Sequence, residues 1–204
     1  MSLSSTHLPS GHSRMWFASD YNFQHLYPQY IQALSQVHWT PLKVAVSAAE
    51  FLAMVPGERI LDIGSGSGKF CIAAGYHYPE TFFYGIEQRD DLVRYANTAK
   101  EMIGLPNVSF MHGNMTEVNF SHYDHFYFFN SFYENLPGTY KIDNKLTYSK
   151  TIYNQYRGFL FRELEKMPAG TRLATYHCGE EDLPAGYQIV KTAMNHLLNF
   201  CVKI

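Results

Sequence analysis

The sequence has no run approaching the ~18 consecutive apolar residues of a membrane-spanning helix, no Cys-x-x-Cys pair and no His-Glu-x-x-His. The first absence argues against a membrane protein, and the other two remove the strongest signatures of a metal site. Cysteine is scarce: Cys71, Cys178 and Cys201 form no close pair and leave one over if any two bond. That excludes a disulfide framework and predicts buried free thiols. Charge of one sign is also missing. With 16 Lys and Arg, 18 Asp and Glu, and ten neutral histidines, the formal charge is −2. No global basic field draws in nucleic acid or anionic lipid, so neither is an expected partner. Residues 1–19 contain Ser, His and Pro without an apolar stretch; they read as a flexible leader and not as a secretory signal. A cytoplasmic protein is expected.

What is present is a chain of 204 residues, 46% hydrophobic and 17% charged, enough for one domain with a sizeable core. Aromatic residues reach 16%, a surplus that suits either core packing or an aromatic-lined pocket. Residues 20–204 are expected to form one domain, an N-terminal helical cover (20–56) on an α/β core (57–204). In the cover, Tyr30, Leu34 and Val37 recur at helical spacing. Thr40-Pro41 reads as a cap and first turn for a helix carrying Val44, Ala48, Phe51, Leu52 and Val55, stopped by Pro56-Gly57. Beyond Gly57 strands and helices alternate. Strands are predicted at 59–63, 82–86, 108–111, 123–129 and 172–176, and helices at 68–78, 90–103 and 145–167. Two strand-like runs, 186–193 and 197–204, then form a terminal antiparallel hairpin. The pattern predicts a doubly wound, mostly parallel sheet with helices on both faces.

Such a sheet binds ligands at the carboxyl ends of its strands, where strand order reverses. Gly64, Gly66 and Gly68 follow the first strand at that edge, where absent side chains let backbone N–H groups approach a ligand. Glu87 ends the second strand about 20 residues later, placed to accept from both hydroxyls of a ribose. A tight turn and a solvated glutamate remain the plainer alternatives. Asp62, inside an apolar strand, is costly to bury unless it caps the turn or faces a ligand's amino end. A dinucleotide site shares this layout, but the spacing here is Gly-x-Gly-x-Gly and an acid precedes the first glycine by two residues.

Leu61-Asp62-Ile63-Gly64-Ser65-Gly66-Ser67-Gly68 resembles the first motif of class I S-adenosylmethionine-dependent methyltransferases, and Tyr84-Gly85-Ile86-Glu87 resembles their second. The likeness runs from about Thr40 to the C-terminus, and the hairpin would supply the sixth and seventh strands of that Rossmann-like fold. The resemblance implies S-adenosylmethionine as cofactor. Asp62 and the loop Gly64, Ser65, Gly66 and Gly68 would hold the methionine portion and Glu87 the ribose. Gln88 would lie beside the adenine, Asn114 would accept from its amino group and Met115 would pack on its ring.

Methyl transfer needs a lone pair aligned behind the methyl group and water excluded, not a charged catalyst. The place to look is the end of the fourth strand, Phe128-Phe129-Asn130-Ser131-Phe132-Tyr133. Asn130-Ser131-Phe132-Tyr133 loosely resembles the Asn/Asp-Pro-Pro-Tyr motif of amino-group methyltransferases and the Asn-Asn-Phe segment of non-SET lysine methyltransferases. Both prolines are missing. The resemblance implies catalytic roles for Asn130 and Tyr133, with Asn130 also bordering the cofactor. The acceptor is expected to be an amine on a protein lysine or a small molecule. An oxygen or sulfur acceptor, or a non-catalytic cofactor-binding module, stays open. His122 and His125 are expected to be surface groups, with no metal; His177 follows the fifth strand at the same edge.

Overall fold

The computed structural model describes residues 11–204. Seven strands form one sheet: β1 (Arg59–Ile63), β2 (Phe82–Glu87), β3 (Val108–His112), β4 (His125–Phe128), β5 (Arg172–Tyr176), β6 (Tyr187–Ala193) and β7 (Leu198–Lys203), in the order β3-β2-β1-β4-β5-β7-β6. The first five are parallel. β7 runs antiparallel between β5 and β6, as the expected hairpin requires. Strand order reverses between β1 and β4, the place where α/β sheets open a ligand crevice.

Among the described residues seven α-helices accompany the sheet: α1 (Gly11–Trp16), α2 (Asp20–Gln24), α3 (Gln29–Gln32), α4 (Leu42–Leu52), α5 (Lys69–His77), α6 (Asp90–Ile103) and α7 (Lys150–Glu165). The central strands are buried on both faces, so their residues divide alternately between two cores. Ile60 and Tyr127 pack with α4 and α5 residues such as Leu52 and Phe70. Leu61, Phe126 and Phe128 pack with Leu160 and Leu164 of α7 on the other face. In α6, Leu92, Ala96, Ala99 and Ile103 fall on the buried side, and Gly104 ends the helix at φ 80°.

Several boundaries differ from the sequence expectation. α4 stops at Leu52, leaving Val55 more than half exposed, and the helix expected from Tyr30 shortens to α3 followed by a 3-10 turn. Thr40 does not cap α4. Its hydroxyl meets that of Tyr127 at 2.9 Å, and the Leu42 N–H is capped instead by Asp20 Oδ1, also at 2.9 Å. The helix expected from residue 145 begins at Lys150, where the Ser149 hydroxyl accepts from the Ile152 N–H. Of the expected leader, residues 1–10 lie outside the described residues. Phe17, near its end, stacks on Tyr76 of α5 at 3.9 Å. Among the described residues no helix is long and apolar enough to cross a membrane.

Candidate functional site

A cavity of about 570 Å³ opens at the β1–β4 reversal, within the ~300–1,000 Å³ usual for small-molecule sites. Its floor is the turn after β1. Gly64, Gly66 and Gly68 all adopt positive φ, at 77°, 54° and 87°. The turn is fixed to β2, because the N–H groups of Gly64 and Ser65 both donate to the Ile86 carbonyl, at 2.9 and 3.0 Å. A side chain on Gly64 would strike Ser131 at 2.4 Å, whereas one on Gly66 would meet no protein atom within 4 Å. The turn is tight at one end and open toward the cavity at the other.

Two buried acids face this turn. Asp62 accepts a weak bond from the Cys71 thiol at 3.7 Å, and burial pushes its carboxyl up to about 8, the thiol opposing and Glu87 adding to the effect. Glu87 accepts from the N–H of Gly66 at 3.1 Å and from that of Arg89 at 2.9 Å. Burial raises its pKa against the pull of Arg89 and those two N–H groups. Arg89, itself buried, is held by Glu134 at 2.8 Å and Asp143 at 3.1 Å, with Glu87 at 3.6 Å. Tyr148 accepts from the same guanidinium at 2.8 Å. This cluster fastens the long β4–α7 connection beside the second acid.

Asp62, Gly64, Ser65, Gly66, Glu87, Gln88, Met115, Asn130 and Tyr133 all line the cavity. Gly68 shapes the turn from below, as the residue before α5. Asn114 does not line it. Its carbonyl accepts from the N–H and hydroxyl of Thr116, both at 3.0 Å, so it closes its own turn. Its amide donates to Tyr156 at 2.7 Å and to Gln88 at 3.3 Å.

On the β4 side Asn130 adopts φ 36° and its amide donates to the His177 carbonyl at 3.1 Å. Among the described residues nothing donates to its Oδ1. Phe129 stands 5.6 Å from the His177 ring, and Tyr133 and Tyr140 are exposed at the rim. His122 and His125 go separate ways: His125 binds Glu58 at 2.9 Å, while His122 lies 3.2 Å from the Asn119 amide. Among the described residues no group of His, Cys, Asp and Glu gathers to hold a metal.

Sequence reasoning gave no site role to Lys69, Arg89 or Glu134, all of which line the cavity. A lysine directly after a glycine turn, at the end of a helix that repels cations, was a readable signal for the first. Apart from Glu87, the side-chain partners of Arg89 lie 45 to 59 residues away, so no local pattern marked its cluster.

The cavity fits the cofactor that the motifs imply. The buried hydroxyls of Ser65 and Ser67 have no partner, and the turn leaves open space over Gly66. Two buried carboxylates match an ammonium and a pair of ribose hydroxyls.

Comparison with known proteins agrees. A tRNA (guanine-N(7)-)-methyltransferase of Synechococcus sp. strain JA-3-3Ab is 44% identical over 55 residues, 27% of this chain and 23% of that protein. The ribosomal RNA small subunit methyltransferase G of Bacteroides thetaiotaomicron is 32% identical over 73 residues, 36% of this chain and 35% of that one. The chain thus spans well under half the length of these curated relatives. An RNA methyltransferase from Salinibacter ruber, solved with S-adenosyl-L-homocysteine, shares the fold with a TM-score of 0.57 at 20% identity, covering 81% of this chain and 92% of that one. These relatives overturn the expectation that nucleic acid is an unlikely partner. A formal charge of −2 averages the whole surface and does not test one acceptor face. The family model for a methyltransferase domain matches residues 55–194, so the chain belongs to that methyltransferase-domain family.

Proposed function

We propose that the enzyme methylates a nitrogen atom of a nucleobase in RNA. The observation that carries this reading is Asn130, whose amide is tied to the His177 carbonyl and whose Oδ1 is left to accept from an N–H donor. The rim tyrosines Tyr133 and Tyr140 offer faces on which a flat base can stack. The RNA substrates named for the relatives support the class of acceptor. In this reading Asp62 and the glycine turn take the methionine end, Glu87 the ribose, and Gln88 and Met115 the adenine. This reading replaces the expectation of an amine on a protein lysine or small molecule with a base nitrogen. Three buried free thiols fit a reducing compartment, and we place the enzyme in the cytoplasm.

The bound cofactor supplies an electrophilic methyl group. The chain's own residues orient the acceptor and keep water out. Asn130 Oδ1 takes a hydrogen bond from the acceptor N–H, which turns the nitrogen lone pair into the cavity. Phe129 and Phe132 line the wall beside it.

The test is transfer of labelled methyl groups to tRNA, ribosomal RNA, protein and small amines in parallel. Label entering RNA, with turnover cut about 10–100-fold in Asn130→Ala and S-adenosylhomocysteine affinity kept, supports the reading. Label entering only protein or small amines overturns it. A second reading rests on His38 and His177, which also line the cavity and whose pKa values burial lowers. A neutral imidazole can serve as base for an oxygen acceptor. Turnover that survives Asn130→Ala but not His177→Ala would favour it.

A further inference from the structure

Lys69 occupies a place where a cation is disfavoured twice. It is the first residue of α5, where the helix dipole opposes positive charge, and its side chain is only 5% exposed. Local rules broken in this way tend to mark sites of function. Its ammonium is paired with Asp20 and stands 5.3 Å from the Phe23 ring and 5.4 Å from the Trp39 ring. The two partners are unequally placed. The Asp20 side chain is 53% exposed and belongs to the N-terminal cover, so water can replace Lys69 as its partner. Lys69 has no such alternative, because burial already opposes its charge and Asp20 sustains it.

Among the described residues two basic side chains other than histidine line the cavity, Lys69 and Arg89. Arg89 is engaged by Glu87, Glu134 and Asp143 on the far side of the second acid. Asp62 precedes the glycine turn and Lys69 follows it, and both line the cavity, so the turn is flanked by one acid and one ammonium. An acid beside an ammonium complements an amino-acid zwitterion, the ligand's ammonium going to Asp62 and its carboxylate to the lysine. We propose that Lys69 selects ligands bearing an α-carboxylate, and that Asp20 is the stand-in anion it exchanges when such a ligand enters. The proposal rests on the S-adenosylmethionine reading of the cavity and deepens it. It also links the cover to occupancy, since Asp20 Oδ1 caps α4 through the Leu42 N–H at 2.9 Å.

The experiment is titration calorimetry with two ligands, S-adenosylhomocysteine and 5′-methylthioadenosine. Both carry the nucleoside and a thioether, but only the first has the amino-acid end. In Lys69→Met, a swap of similar shape, S-adenosylhomocysteine is expected to weaken about 10–100-fold while methylthioadenosine stays within about twofold. Asp20→Asn keeps an oxygen for Leu42 and is expected to strengthen S-adenosylhomocysteine alone. Lys69→Arg retains the charge and keeps most of the preference should the methionine variant fail to fold. Equal loss of both ligands in Lys69→Met, or loss of the preference in Lys69→Arg as well, assigns the lysine a packing role and overturns the proposal. Wild-type protein that binds neither ligand overturns the cofactor reading itself, a separate result.

Discussion

The Ser131 hydroxyl donates to the Ile63 carbonyl at 2.6 Å. The loop that carries Asn130 therefore rests on the strand end that starts the glycine turn, and Gly64 is the residue that lets the two meet.

Gly64→Ala and Gly66→Ala are expected to fail differently. The first combines a left-handed φ of 77° with a methyl group 2.4 Å from Ser131. It should cost about 2–5 kcal/mol of stability, read as a lowered urea midpoint. The second meets no protein atom within 4 Å, so only about 1–2 kcal/mol of backbone strain is expected. Its methyl group enters the space a ligand uses, and S-adenosylhomocysteine affinity should fall at least about tenfold. Unchanged affinity in Gly66→Ala would show that ligand does not approach the turn.

Asp62 sets a pH dependence with a definite sign. Its folded pKa of about 8 lies above the ~3.9 of an unfolded aspartate. Between those values the folded chain holds a proton that the unfolded chain has lost. The Asp62 contribution to stability therefore falls as pH rises through that window and levels off above about 8. Binding runs the other way, because a ligand ammonium favours the carboxylate and binding releases the proton. S-adenosylhomocysteine affinity should climb from pH 6 to 7.5 by up to ~10-fold per unit, and Asp62→Asn should flatten the slope. A flat wild-type profile would remove Asp62 from the ligand contact.

Arg89→Met leaves Glu87, Glu134 and Asp143 without their shared cation. Breaking a buried cluster of this kind costs about 3–5 kcal/mol, and for a chain of this size the melting temperature should drop on the order of 10 °C. The connection from Tyr133 to Tyr148 should lose amide-exchange protection and become the first protease cut. Arg89→Lys should recover only part, since an ammonium cannot reproduce the guanidinium fork that meets Asp143, Glu134 and Tyr148. Undiminished protection would show that the loop is held by its own contacts.

The glycine turn and its two flanking acids were legible because their signals are local. Glycines at positive φ, an apolar strand ending in an acid and a second acid one strand later lie within 62–87, where backbone demands dictate residue type. The place of Asn114 as the cap of a 3-10 turn, with Thr116 two residues on, was also readable. The start of α7 was equally readable from Ser149. Lys69 with Asp20, and Arg89 with Glu134 and Asp143, were not, because each pair joins residues 45 to 54 positions apart that only the folded chain brings together. The acceptor class was illegible for a further reason. Overall charge carries no information on one small face, and a displacement at carbon demands no diagnostic side chain.

The reversal between β1 and β4 has a historical consequence. Asp62, the glycines and Glu87 descend from strands on one side of that seam, and Asn130, Tyr133 and His177 from strands on the other. A lineage can rebuild the second half for a new acceptor while inheriting the first intact.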